Sequence, residues 1–269
     1  MRWPRWIASL SAHPQPEIAA FTRIPLKLSN SNRSLALFCA TDEQPDFAVT
    51  GNRTVIFEGL LYNAEELATR FGLKDRTDDY AAILLRAYEH MGEDFLDKLR
   101  GIFALILWDG DRDTLTAVRD RTGAHPCFYA RAGEELHIAT SIDTLLAHPR
   151  VSRAVNRAAI FDYIADSWPS LGETFYASVN RVPPGSALRA RGADEEIFRH
   201  WNPRSVERES DWVDECEAER FEDLLVAAIE RFLKCGRAGI FLSGGLDSVS
   251  VAAVATDLAA QREYSRPFA

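Results

Sequence analysis

The string Ser243-Gly-Gly-Leu-Asp-Ser248 concentrates the most usable chemistry in this sequence. It follows a short apolar run, Gly239-Ile-Phe-Leu242, and precedes a helical pattern over Val249–Ala260. A strand, a glycine-rich turn and a helix build an anion site. Successive backbone N–H groups face the ligand, and the helix N-terminus adds positive partial charge. Gly244 and Gly245 keep side chains out of the approach to the backbone. Ser243 and Ser248 offer hydroxyl donors. Asp247 is an acid beside bound phosphates, which makes sense if it holds a Mg2+ ion that bridges them. The string is neither a Walker A loop, which needs Gly-Lys-Ser/Thr, nor a GxGxxG turn.

Other reactive residue types lack such a pattern. Asp109, Asp111, Asp113 and Asp120 fall on acidic positions of an EF-hand count, but Thr114 stands where that loop needs glycine. An acidic hairpin turn is the simpler reading. His125 and Cys127 sit in a turn and strand, and Arg119, Asp120 and Arg121 are expected to make internal ion pairs. Cys39, Cys127, Cys216 and Cys235 are widely spaced without a CxxC pair. That spacing is no disulfide framework or zinc pattern; it suits a reducing cytoplasm and cysteines that are buried or inert.

The elements that must position these residues follow from periodicity. Thr54–Phe57 is a short strand, and Ala64–Phe71 a short helix stopped by Gly72. Thr77 precedes a longer helix with Ala81, Leu84, Tyr88 and Met91 on one face, closed by Gly92. Ile102–Trp108 and Leu115–Arg119 form a hairpin, and strands follow at Cys127–Ala130 and Leu136–Thr140. Before residue 50 only Leu35–Ala40 reads as a strand, after a turn at Ser29–Ser34. Val182–Ser205 reads as a domain edge and linker. A helix over Asp211–Leu233 should bury Phe221, Leu224, Leu225, Ala228, Ile229 and Phe232.

The formal charge of −9, from 31 basic and 40 acidic residues, argues against nucleic acid or an anionic membrane surface as partner. The longest apolar run, Ile102–Trp108, is far short of the ~20 residues of a membrane-spanning helix.

The Ser243–Ser248 string resembles the pyrophosphate loop of N-type ATP pyrophosphatases, in the form used by the asparagine synthetase family. Further segments resemble that family in order. Phe57-Glu-Gly-Leu-Leu-Tyr-Asn63 is similar to its NGEIYN segment, and Thr77-Asp78 to its Ser/Thr-Asp step. Gly101–Asp109 is similar to its GMFAFAIWD strand, Arg119–Pro126 to its RDRxGxxP turn, and Val182–Gly185 to its LPPG element, with Trp201 near the domain end.

The resemblance implies an α+β fold. An Ntn-type αββα sandwich over residues 1–205, glutamine amidotransferase type 2-like, precedes the first βα unit of an incomplete α/β ATP-pyrophosphatase domain at 206–269. In the family, ATP adenylates a carboxylate, pyrophosphate leaves, and an amine attacks to give an amide. The resemblance thus implies ATP and Mg2+ as cofactors and a small-molecule or peptide carboxylate as substrate. Ser243, Gly244, Gly245, Leu246, Asp247 and Ser248 would hold the pyrophosphate end, Asp247 the metal, and Phe241 would lie beside the adenine.

The sequence also departs from the pattern. The family's glutaminase nucleophile is a cysteine directly after the initiator Met, whose own amine is the base; Arg2 stands there, so no glutaminase catalytic residue is assigned. Glu58 replaces the Asn that donates to the oxyanion, and a carboxylate there would repel developing negative charge. Leu60 replaces the Glu that holds the substrate ammonium. Glu58, Gly59 and Asp78 remain as a vestigial glutamine pocket. Family relatives with dead front domains, the β-lactam synthetases and lasso-peptide macrolactam cyclases, take the amine from the substrate, which makes a cyclase one alternative and a non-catalytic fragment or binding module another. Only 21 residues follow Ser248, so a complementing polypeptide is expected to supply the rest of the synthetase domain.

Overall fold

Alternation of side chains along the strands decides how the first part of the chain is layered. The computed structural model describes residues 5–12, 22–24, 34–39, 44–167, 170–203 and 215–268. The chain divides into two compact units, 1–203 and 204–269.

The first unit runs β1 (Trp6–Ser11), β2 (Thr22–Ile24), β3 (Ser34–Cys39), β4 (Asp46–Thr50) and β5 (Arg53–Leu61), then helices α1 (Ala64–Arg70) and α2 (Tyr80–Met91). A 3₁₀ segment, Gly92–Lys98, leads to β6 (Gly101–Asp109), β7 (Thr114–Arg119), β8 (Phe128–Ala132) and β9 (Glu135–Ala139). Short helices α3 (Ile142–Leu146) and α4 (Arg157–Ile164) precede β10 (Val179–Arg181), β11 (Ser186–Arg191) and β12 (Asp194–Arg199). The strands form two antiparallel six-stranded sheets, ordered β10-β8-β9-β1-β3-β2 and β12-β11-β7-β6-β5-β4.

Trp6, Ala8 and Leu10 of β1 face Ile56, Ile106 and Trp108 of the other sheet and fill the space between the two. The alternate residues of β5 and β6, among them Phe57, Phe103 and Leu105, pack outward against α1 and α2. On the far side, Ile7, Phe38 and Ala139 pack against α3. Helix, sheet, sheet, helix is the Ntn-type αββα sandwich that the motifs imply. Gly59 is required where β5 crosses β6: its φ is +135°, and a Cβ there would meet the Ile102 carbonyl and lie 2.7 Å from Phe103 Cα.

Several local expectations change. Val182–Ser205 is not merely a linker, because β11 and β12 inside it extend the second sheet. The long helix of the first unit opens at Tyr80, and Asp79, not Thr77, caps it by accepting from the Ala82 N–H at 3.0 Å. The poorly patterned N-terminal region supplies β1, a central strand of its sheet; β1 is buried on both faces and therefore lacks polar alternation. The turn expected at Ser29–Ser34 lies outside the described residues, except that Ser34 opens β3.

The second unit contains α5 (Glu215–Lys234) and α6 (Leu246–Gln261). Ile229 and Leu233 of α5 pack with Ala255 and Leu258 of α6. Of the face expected to be buried on α5, Phe221, Leu224 and Phe232 are exposed, because α6 covers only the Ile229–Leu233 stripe. The apolar run Gly239–Leu242 forms no ladder. Gly239 makes a single parallel bridge with Phe268, with the Ile240 N–H donating to the Phe268 carbonyl at 2.8 Å. No helix among the described residues is long and apolar enough to cross a membrane.

Candidate functional site

Period-two alternation turns Thr54, Ile56 and Glu58 of β5 toward the space between the sheets, so Glu58 is a carboxylate in the core, 3% exposed. The indole Nε1 of Trp6 donates to Glu58 Oε2, which also accepts from Thr140 Oγ1 at 2.8 Å. His125 Nε2 stands 3.4 Å from Glu58 Oε1. The position that the family pattern gives to an oxyanion donor therefore holds an acceptor already engaged by its neighbours. Gly59 follows it on β5. Asp78 makes no hydrogen bond to Glu58; it lies in the exposed turn before α2, where its charge and that of Asp79 act on Asp46.

Two thiols lie in the same core. Cys39 pairs with Trp6 across β3 and β1, and burial, reinforced by Glu58, pushes its pKa up to about 11. Burial pushes Cys127 up to about 12. Both are thiols at neutral pH and poor nucleophiles. Cys235 is exposed.

Arg119 and Asp120, expected to make internal ion pairs, bind backbone groups instead. Arg119 donates to the carbonyls of His125, Val182 and Gly123, while Asp120 accepts the N–H groups of Thr122, Ala124 and His125. Each charge organises the turn through backbone groups. Asp109 likewise accepts from Tyr88 at 2.7 Å and pairs with Arg53, which makes it a structural anchor of the hairpin.

In the second unit, Ser243–Gly245 lead directly into α6, which starts at Leu246 and places Asp247 and Ser248 in its first turn. Ser243 Oγ and Ser248 Oγ are 3.1 Å apart, and Ser248 donates to the Gly245 carbonyl at 3.0 Å. Gly244 adopts φ +80°, and a Cβ there would meet nothing within 4 Å, so the turn is an open cradle. The opening N–H groups of α6 have no partners within the helix, which leaves them for an anion. This donor set fits a pyrophosphate group. One carboxylate at its edge fits Mg2+, which keeps most of its coordination for phosphate oxygens and water. Phe241 is fully exposed.

Residues 21–201 match the family model of the glutamine amidotransferase domain, and residues 220–267 match that of asparagine synthase. The chain belongs to the glutamine amidotransferase domain family. It is 34% identical over 209 residues to asparagine synthetase [glutamine-hydrolyzing] 3 of Bacillus subtilis (strain 168), covering 75% of this chain and 33% of that protein. It is 31% identical over 239 residues to amidase chyE of Penicillium rubens, covering 80% and 34%. The chain thus spans about a third of the length of these curated relatives. Among solved structures, a glutamine phosphoribosylpyrophosphate amidotransferase from B. subtilis aligns with TM-score 0.43 and 13% identity, over 88% of this chain and 51% of that one.

Within the glutamine amidotransferase family pattern, the residues that sequence reasoning missed are those around Glu58. Trp6 is 52 positions away and Thr140 is 82. Their only local signal is membership of apolar, strand-like runs.

Proposed function

We propose that the second unit is the nucleotide end of an asparagine-synthetase-type, ATP- and Mg2+-dependent amide-forming ligase, and that the first unit does not hydrolyse glutamine. The observation that carries the ligase reading is the open turn Ser243–Gly245 running into the N-terminus of α6. ATP bound there would activate a carboxylate as an acyl-adenylate with loss of pyrophosphate, and the metal would offset phosphate charge. The protein's own part is positional. Backbone N–H groups of Leu246 through Ser248 would receive phosphate oxygens, the two serine hydroxyls would fix their orientation, and Asp247 would hold the metal at the helix start. Phe241 offers an exposed ring for the adenine. The exposed Phe221, Leu224 and Leu246 support a reading in which this unit works against further protein surface, from a complementing polypeptide or the rest of a synthetase.

The buried Glu58 favours an amine source other than glutamine, either free ammonia or an amine within the substrate as in macrolactam-forming cyclases. The test is Mg2+-dependent binding of ATP and pyrophosphate to the chain, followed by ATP–pyrophosphate exchange with candidate carboxylates. Binding is expected to drop at least about tenfold in Asp247→Asn, through loss of one charge-assisted metal contact. Binding unchanged by that substitution would move the metal elsewhere, and no binding at all would make the unit a non-catalytic module.

A further inference from the structure

The outer face of the β10-β8-β9-β1-β3-β2 sheet is apolar around Ile7, Phe38 and Ala139, but its other end is polar and still buried. Glu135 and His137 project together from β9, two residues apart on one face. Ser9 of β1 pairs with His137 across the ladder. The chain that follows α3 lays His148 over them, its ring centroid 3.9 Å from that of His137. Glu135, His137 and His148 are each no more than 2% exposed.

Each of the three has one side-chain atom engaged and another left over. Glu135 Oε1 accepts from Arg150 Nη1 at 2.8 Å and Ser11 Oγ at 3.1 Å, while Oε2 has no hydrogen-bond partner. His137 Nδ1 meets Ser9 Oγ at 2.8 Å, while Nε2 has none. His148 Nε2 has none, and its Nδ1 receives only a long contact from the Arg150 N–H at 3.3 Å. Buried polar atoms without partners are rare and call for a specific cause. Here one ligand-type atom from each residue lies within 4.8 Å of the other two. His137 Nε2 and Glu135 Oε2 are 3.6 Å apart, close to the ~3.4 Å expected between two donors on a tetrahedral zinc with bonds of ~2.1 Å.

We propose that Glu135, His137 and His148 form a binding site for a divalent transition-metal ion, zinc by the chemistry of its donors. Two imidazoles and one carboxylate suit zinc, whereas magnesium and calcium prefer oxygen donors. Burial holds both imidazoles below their ordinary pKa, so their lone pairs are available at neutral pH without release of a proton. Ser9 fixes the His137 ring, and Arg150 with Ser11 fixes the Glu135 carboxylate. Outer contacts of this kind orient metal ligands. Loading the site gives up the long Arg150 N–H contact on His148, the weakest bond of the cluster. The positive charge that results is offset by Glu135 and screened by solvent at the half-exposed Arg150. Three protein donors leave a fourth position for water, and the ion would tie the segment after α3 to the sheet. The site uses none of the residues of the proposed ligase chemistry.

The experiment uses the full chain without an affinity tag, stripped with a chelator, then titrated with Zn2+ and with Co2+ as a spectroscopic stand-in. One equivalent of metal per chain is expected, with d–d absorption of a low-coordinate cobalt site and no thiolate charge-transfer band. His137→Gln and His148→Gln should each abolish the stoichiometric uptake. Ser9→Ala, which keeps all three ligands, should weaken it roughly tenfold. If a histidine variant fails to fold, the Ser9→Ala affinity decides. No uptake by the wild-type chain overturns the site, as does uptake that the Ser9 and histidine variants leave unchanged, or a thiolate band that traces the metal to cysteine.

Discussion

The indole N–H of Trp6 donates to the carboxylate of Glu58 between the two sheets, so the first residue of β1 closes over the position on β5 where the family pattern calls for an oxyanion donor. Thr140 donates to the same oxygen. Glu58→Ala removes the acceptor for both and leaves an indole N–H and a hydroxyl buried without a partner. It should destabilise the first unit by about 1–3 kcal/mol in urea denaturation. Glu58→Asn should restore no release of glutamate from L-glutamine, because Trp6 still occupies the core beside it; release above the wild-type level would show that a single residue disables the pocket.

The two glycines of interest should respond differently to alanine. Gly59→Ala meets backbone of β6 at a positive φ, and neither can move without disturbing the ladder, so a loss of about 3 kcal/mol or more is expected. Gly244→Ala meets no atom and pays only for its φ of +80°, about 1 kcal/mol. Thermal melts of the two variants check the order.

Arg119 satisfies three carbonyls across the turn that joins β7 to β8. Arg119→Met keeps much of the volume but strands those oxygens and removes the cation beside Asp120. A loss of about 3 kcal/mol is expected, measured as a lower urea midpoint at unchanged slope. A substitution at the exposed end of the Arg76–Asp79 pair should change the midpoint little by comparison.

Acid should weaken the first unit through His137. Burial, aided by His148 and Arg150, lowers its pKa from 6.5 to about 3. Below pH 6.5 the unfolded chain takes up a proton that the folded chain refuses. The stability is therefore full above pH 6.5 and is lost as pH falls toward 3, by up to about 1.4 kcal/mol per pH unit. Metal-free unfolding at pH 7 and pH 5 should show this slope, and His137→Gln should flatten it. An equal slope in the variant would place the acid sensitivity elsewhere.

Much of the architecture was legible in short segments. The β6–β7 hairpin, α1, the body of α2 and the turn before α6 each announce themselves through glycine placement, alternation or helical spacing within a dozen residues. The Ser243–Ser248 turn was legible for the same reason, since its glycines and the helix start that follows are consecutive in the chain. Where the local signal was ambiguous, tertiary context chose. Gly239–Leu242 has strand composition but gains only one bridge, and α5 has a wide apolar face of which α6 covers one stripe. Val182–Ser205, polar and proline-bearing, became two strands because β7 offered an edge to pair with.

By itself the sequence determined the β6–β7 hairpin, the main helices, the αββα class through its motifs, and the residue types placed at Ser243–Ser248 and at Glu58. Only the tertiary structure decided what Glu58 touches and that Glu135, His137 and His148 converge. The physical reason is that a strand's period of two fixes which side chains share a face, but not which strand lies beside it. β1 is placed between β9 and β3, more than a hundred residues from one and some thirty from the other, and that placement puts Ser9 against His137 and Trp6 against Glu58.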